Sequence, residues 1–270
     1  MNNPLYLGAI HTMISTVPKL FFVTLCLIPF FFIKTAHATT ARVAIVIDDI
    51  GYRYTDQKAL TLPGAITYSI LPHTPYGKML AIQANKNHND VLLHIPMEAE
   101  NGKKLGPGAL TSAMSKAEFY TNLHNALAEI PFAIGINNHM GSRLTQLSKP
   151  MLWTMDFLKQ SNLLFLDSRT SPKSKASDIA RALGVPVNQR HLFLDNQLSD
   201  AYIKQQFQLL IQYAKKQSFA IAIAHPHPET IQLLTRLIPT LKQNNIALVP
   251  LSALYSKPID YQASVAKVPH

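Results

Sequence analysis

From Arg42 onward the chain alternates short, almost wholly apolar runs with longer stretches in which apolar residues recur every three or four positions. Runs rich in Val, Ile, Leu and Phe and bounded by polar residues read as strands buried on both faces. Eight stand out: residues 43–47, 66–71, 91–95, 132–137, 163–167, 191–194, 219–224 and 246–250. The stretches between them predict helices. Ser115 and Glu118 form a capping box, since the hydroxyl can accept from the third helical N–H while the carboxylate reaches back to the cap's own N–H. Ile203, Phe207, Leu210, Ile211 and Ala214 make one apolar stripe, and Trp153 sits among Met151, Leu152, Met155 and Phe157 in another. Both stripes are core faces. Strand and helix alternating seven or eight times predict an α/β fold, a (β/α) barrel of seven or eight parallel strands, with a doubly wound open sheet as the alternative.

The N-terminus is different in kind. Lys19 precedes an apolar run of roughly 14 residues, too short for the roughly 20 that cross a bilayer, and Lys34 and the small-residue pattern Ala36, His37, Ala38 follow it. That pattern is a secretory signal cleaved after Ala38, with Met13 offering a second start; an uncleaved anchor is the alternative and also places the domain outside the cytoplasm. The expected organisation is a signal peptide over residues 1–38, a barrel domain over 39–254 and a loose tail over 255–270, carrying Pro258 and Pro269. The expected location is periplasmic or secreted, with no membrane span after cleavage.

Composition narrows the chemistry. The one cysteine, Cys26, falls inside the signal, so the mature domain has no disulfide and no thiolate, and any metal must use His, Asp or Glu. Cleavage removes two Lys and no acid, taking the net charge from +10 to about +8. A basic surface suits anionic envelope polymers or lipid headgroups, and no Lys/Arg run resembles a nucleic-acid patch.

Polar residues capable of chemistry cluster just after the apolar runs and are sparse before them. Asp48 and Asp49 follow the first, His73 the second, His94 and Glu98 the third. Asn137, Asn138 and His139 follow the fourth, Asp167, Ser168 and Arg169 the fifth, Asp195 the sixth, and His225 and His227 the seventh. In a barrel the strand C-termini open on one face, so these side chains converge. Adjacent carboxylates repel unless a cation or proton intervenes, and repeated strand-end histidines need buried partners. One Asp and two His form a ligand set suited to zinc, with nickel, cobalt or manganese also compatible. His88, His124 and His191 lie in helical stretches or before strands and read as packing or surface residues; His73, between Pro72 and Pro75, lines the cleft or fixes a turn.

These segments, IDDIG, LPHTP, LLHIPME, GINNHMGS, FLDSRT and AIAHPHPET, resemble the divergent polysaccharide deacetylase family, relatives of the NodB-type carbohydrate esterases, over roughly residues 42–254. The resemblance implies a distorted (β/α) barrel. It implies that Asp48 is the general base, that Asp49 and His94 are metal ligands and that His225 or His227 is the general acid, His225 being preferred because it directly follows the strand. The ordinary motif continues His-x-x-x-His, and here Glu98 stands in the second place. Either Glu98 ligates the ion or His139 takes over, and His139 is preferred because NNHMGS is the stronger strand-end signal. The implied reaction is metal-assisted removal of an N- or O-acetyl group from an envelope glycan, peptidoglycan among them. Asp167 or Arg169 would orient His225 or bind substrate, Asn138 would donate to the oxyanion, and His227 would line the substrate site. Two alternatives follow from the altered motif and from fold not dictating reaction: a catalytically degenerate glycan- or metal-binding barrel, and another metal-dependent hydrolase.

Overall fold

The first apolar run becomes a ten-residue strand, β1 (Ala41–Ile50), which pairs with three others. In the computed structural model the described residues are 40–255, so the segment expected to be a signal peptide and the tail beyond Tyr255 lie outside them. The elements follow in order: β2 (Thr67–Ile70), α1 (Gly77–Lys86), β3 (Val91–Met97), α2 (Lys116–Glu129), β4 (Ala133–Met140), α3 (Ser148–Ser161) and β5 (Leu164–Asp167). Then come α4 (Ala176–Leu183), β6 (Val187–Gln189), β7 (Leu192–Phe193), α5 (Asp200–Gln217), β8 (Phe219–Ala224), α6 (Pro228–Leu237) and β9 (Ile246–Leu248). Every pairing between these strands is parallel.

Eight strands run β6-β5-β4-β3-β2-β1-β8-β7 across the sheet, and β9 joins off this path. One edge of β1 pairs with β8 over Arg42 to Ile47, while its other edge is shared by β9 near Ala41 and β2 near Ile47. The two ends of the path, β6 and β7, are separated in the chain by Arg190 and His191 alone. Two residues cannot hold them more than about 11 Å apart, so the sheet curls until its edges meet at this crossing. No helix intervenes between β6 and β7. The sixth predicted strand is β7, and the three-residue β6 before it was not foreseen.

Strand parity sorts the apolar residues into two cores. Val43, Ile45 and Ile47 face outward with Phe207 and Leu210 of α5, while Ala44 and Val46 face inward with Leu92, Ile134, Leu164, Leu166, Ile221 and Ile223. Leu251 and Leu254 close the inner core at one end. At the other end the inward positions continue as Asp48, His94 and His225. Gly135 marks where β4 approaches β5, since a Cβ there would lie 2.5 Å from the Leu164 carbonyl oxygen.

A proline commonly ends a strand, yet β3 runs through Pro96 to Met97, paired with β4. The N–H and C=O of one strand residue point to the same side, and the Pro96 carbonyl accepts from Leu110 N, on the side away from β4. Its missing N–H would point there too, so the proline removes no bond from the β3–β4 ladder. Among the described residues no helix is long and apolar enough to cross a membrane.

Candidate active site

Neighbouring residues of a regular strand face opposite sides, so Asp48 and Asp49 cannot both reach the mouth unless β1 is irregular. The β1–β2 register shifts between Ile47 and Ile50, and Asp49 takes φ 61°, a left-handed conformation uncommon for a residue with a Cβ. Asp48 stays in the lumen, 2 % exposed, and Asp49 swings over the rim. Irregularities of this kind re-aim a side chain beside a site.

Around Asp49 the ends of β3 and β4 each contribute an imidazole. Asp49 Oδ1 lies 2.7 Å from His139 Nδ1 and 3.1 Å from His94 Nε2. One potential ligand atom from each of the three residues falls within 4.8 Å of the others. Donors of a tetrahedral zinc at its usual bond lengths stand about 3.3 Å apart, so this cluster of one oxygen and two nitrogens fits a divalent ion with little opening. Burial pulls Asp49 upward, but its hydrogen bonds with His139 and His94, and their charges, outweigh that and hold its carboxyl far below the usual carboxylate range. In His94, burial opposes protonation while Asp48 and Asp49 outweigh it and raise the imidazole above its ordinary value. A bound cation would invert this balance by repelling the ring proton.

Below the cluster, Asp48 Oδ2 lies 3.7 Å from His94 Nε2, and Asp48 Oδ1 accepts a 2.8 Å hydrogen bond from Asn137 Nδ2. Burial pushes Asp48 above the usual carboxylate range and Asp49 adds to it, against the pull of His94, His225 and Asn137. Asn137 Oδ1 is also 2.8 Å from His94 Nδ1 and accepts from Ser69 Oγ.

On the other side of Asp49 stands His225, its Nε2 4.0 Å from Asp49 Oδ2. Asp195, buried after β7, holds it with both oxygens: Oδ1 is 3.0 Å from His225 Nδ1, and Oδ2 accepts from the His225 backbone N–H (2.7 Å) and Thr230 Oγ1 (2.9 Å). Burial works against the His225 proton, but Asp195, followed by Asp49 and Asp48, pushes the imidazole up to about 9. Phe193 stacks on the His225 ring, and Arg190 lies 3.7 Å over Phe193.

These groups sit where two hollows meet. One, of about 190 Å³, is lined by Tyr52, Arg53, Leu71 and His227, and the other, of about 230 Å³, by Met140, Ser168, Thr170 and Phe193; both share Asp49, His139 and His225.

The remaining predicted residues divide. Glu98 is turned to Arg143 Nε (2.8 Å) and Ser112 N (2.6 Å), outside the cluster that His139 completes. Asn138 lines the second hollow, but its amide nitrogen is taken by the Met140 carbonyl (2.7 Å) and Thr170 Oγ1 (3.4 Å), and its oxygen by Ser168 N (2.9 Å). That leaves no amide hydrogen for an oxyanion. Asp167 accepts from Ser174 Oγ (2.7 Å) and Arg169 N (2.8 Å), shaping the loop after β5. The residue that orients His225 is Asp195, in place of Asp167 or Arg169, because β7 rather than β5 is the strand next to β8. His73 pairs with Glu129 at 3.3 Å, and His191 accepts from Ile221 N. Sequence reasoning placed Asp195 and Asn137 at strand ends without giving either a role, and passed over Ser69. Asp195 carried a signal, since it ends an apolar strand as Asp48 does, but the sequence does not say which histidine it meets.

The sequence profile of a family described as divergent polysaccharide deacetylase matches residues 45–255. The uncharacterised protein YibQ of Escherichia coli (strain K12) is 37 % identical over 218 residues, covering 80 % of this chain and 68 % of that protein. A crystal structure of an uncharacterised Agrobacterium tumefaciens C58 protein, ATU2773, superposes with a TM-score of 0.77 at 26 % identity, over 81 % of this chain and 90 % of that one. The catalytic domain of a peptidoglycan N-acetylglucosamine deacetylase from Eubacterium rectale shares the fold at a TM-score of 0.50 and 16 % identity, over 81 % and 91 % of the two chains.

Proposed function

The chain belongs to the divergent polysaccharide deacetylase family, and from that membership we propose that it is an exported, metal-dependent hydrolase that removes N- or O-acetyl groups from a glycan of the cell envelope, peptidoglycan first among them. One observation carries the proposal. A carboxylate and two imidazoles converge on one point, with a buried carboxylate on one side and a carboxylate-held imidazole on the other.

Asp49, His94 and His139 would hold a divalent ion, zinc being the best match to two nitrogens and one oxygen. The ion supplies Lewis acidity, acidifying water and stabilising charge that develops on an acyl oxygen. Asp48 has one oxygen tied to Asn137 and the other directed toward the cluster, so Oδ2 is the atom that takes the proton of the attacking water. His225, kept protonated at neutral pH by Asp195, returns a proton from Nε2 to the departing amine nitrogen or alkoxide oxygen. The two hollows give the glycan room on either side of the scissile bond, with the exposed ring of Tyr52 in one and Phe193 in the other. Replacement of the second motif histidine does not by itself remove a ligand, because His139 supplies an imidazole while Glu98 serves Arg143. This supports an active centre over a degenerate one.

The test joins metal analysis of the mature protein to acetate release from acetylated chito-oligomers and peptidoglycan fragments. Stoichiometric ion with chelator-sensitive release is expected. A stoichiometric ion with no acetate from either substrate would remove the deacetylase reading.

A further inference from the structure

Asn137 is fully buried on β4, yet its amide touches both arms of the proposed chemistry. Its nitrogen donates to Asp48 Oδ1, and its oxygen receives Ser69 Oγ and faces His94 Nδ1 at 2.8 Å. The arrangement is self-consistent. Turned over, the amide would set oxygen against a carboxylate oxygen of Asp48 and leave Ser69 and His94 facing its NH2. With the carbonyl oxygen toward His94, a ring hydrogen sits on Nδ1, so a cation that displaced the proton from Nε2, the atom aimed at Asp49 from 3.1 Å, would meet that nitrogen's lone pair. Ser69, buried on β2, holds the amide in this orientation from across β3.

We propose that Asn137 is a positioning residue for the metal-dependent reaction. It fixes the tautomer in which His94 offers Nε2 to the cation, and it anchors Asp48 Oδ1 so that Oδ2 is the oxygen left to face the reacting water. The proposal rests on the metal-dependent reading above. Its specific content is that hydrogen bonding at one amide serves both the ion and the base, which a residue that merely fills space would not do.

Three substitutions in the full chain separate these roles, with zinc affinity measured by chelator competition and folding checked by thermal melting of the ion-free protein. Asn137→Leu fills the volume but offers no acceptor to His94, and is expected to weaken zinc binding about 10- to 100-fold, the usual effect of removing a ligand's hydrogen-bond partner. Asn137→Ala gives the same loss and covers the case in which leucine prevents folding. Asn137→Asp keeps an oxygen for His94 Nδ1 but replaces the donor to Asp48 with an acceptor. Its zinc affinity should stay within about threefold of wild type while turnover falls at least about 100-fold, as expected for a displaced general base. Wild-type affinity in folded Asn137→Leu or Asn137→Ala, or affinity in Asn137→Asp as poor as in Asn137→Ala, would overturn the assignment. Absence of acetate release by wild type would count against the proposed function alone, because the zinc affinities decide the role of Asn137 at His94 by themselves.

Discussion

Removing the His225 imidazole should change how the ion-free protein responds to pH. The His225 pKa lies near 9 in the fold against 6.5 unperturbed, chiefly because the hydrogen bond and charge of Asp195 outweigh burial. A histidine raised in this way stabilises the fold fully below about pH 6.5, and that contribution is lost as pH rises through about 9. At 1.36 kcal/mol per unit the shift corresponds to about 3 kcal/mol, reduced to about 2–3 kcal/mol because the side chain is 26 % exposed. For a domain of this size that is a fall in Tm of roughly 4–12 °C between pH 6.5 and 9. The assay is thermal denaturation of chelator-treated protein at half-unit steps, wild type against His225→Gln. The wild-type curve should descend more steeply across this window, and the difference should shrink on adding zinc, whose charge disfavours the nearby imidazolium. Parallel curves would show that Asp195 does not hold a proton on His225, and the general-acid assignment would lose its physical basis.

Asp49→Ala should abolish stoichiometric metal retention, whereas Asp48→Asn should retain metal and lose turnover by about 10²- to 10⁴-fold, read by metal analysis and acetate release on the same preparations. Glu98→Gln, which disturbs the contacts to Arg143 and Ser112, should leave zinc affinity within a few-fold of wild type and lower stability by about 1 kcal/mol in urea unfolding; loss of the ion would return Glu98 to the ligand set. Gly135→Ala should destabilise the fold by about 3 kcal/mol or more, since the new Cβ would press on the Leu164 side chain and its carbonyl, which β5 cannot withdraw; an unchanged urea midpoint would refute the close packing of β4 on β5.

Period and position carried a great deal. A hydrophobic pattern records burial one residue at a time, so the parallel strands, the helices between them and the crowding of Asp48, Asp49, His94, His139 and His225 at strand ends could all be read along the chain. Pattern does not record which strand end faces which. The pairing of Asp195 with His225 follows from β7 lying beside β8, and β7 lies there because residues 190 and 191 carry the chain across the seam without a helix. Asn137 meets Asp48 across 89 positions of sequence, in a lumen that exists once the sheet has curled. That His139 and not Glu98 lies beside Asp49 depends on Asp49 adopting a positive φ that brings its carboxylate over the rim between β3 and β4, and on Glu98 finding Arg143. The sequence by itself determined which elements form and which end of the sheet bears the chemistry, because those are local consequences of burial and hydrogen bonding. Which of these side chains come within reach of one another was decided by tertiary structure alone, because each contact is a distance between segments remote in the chain.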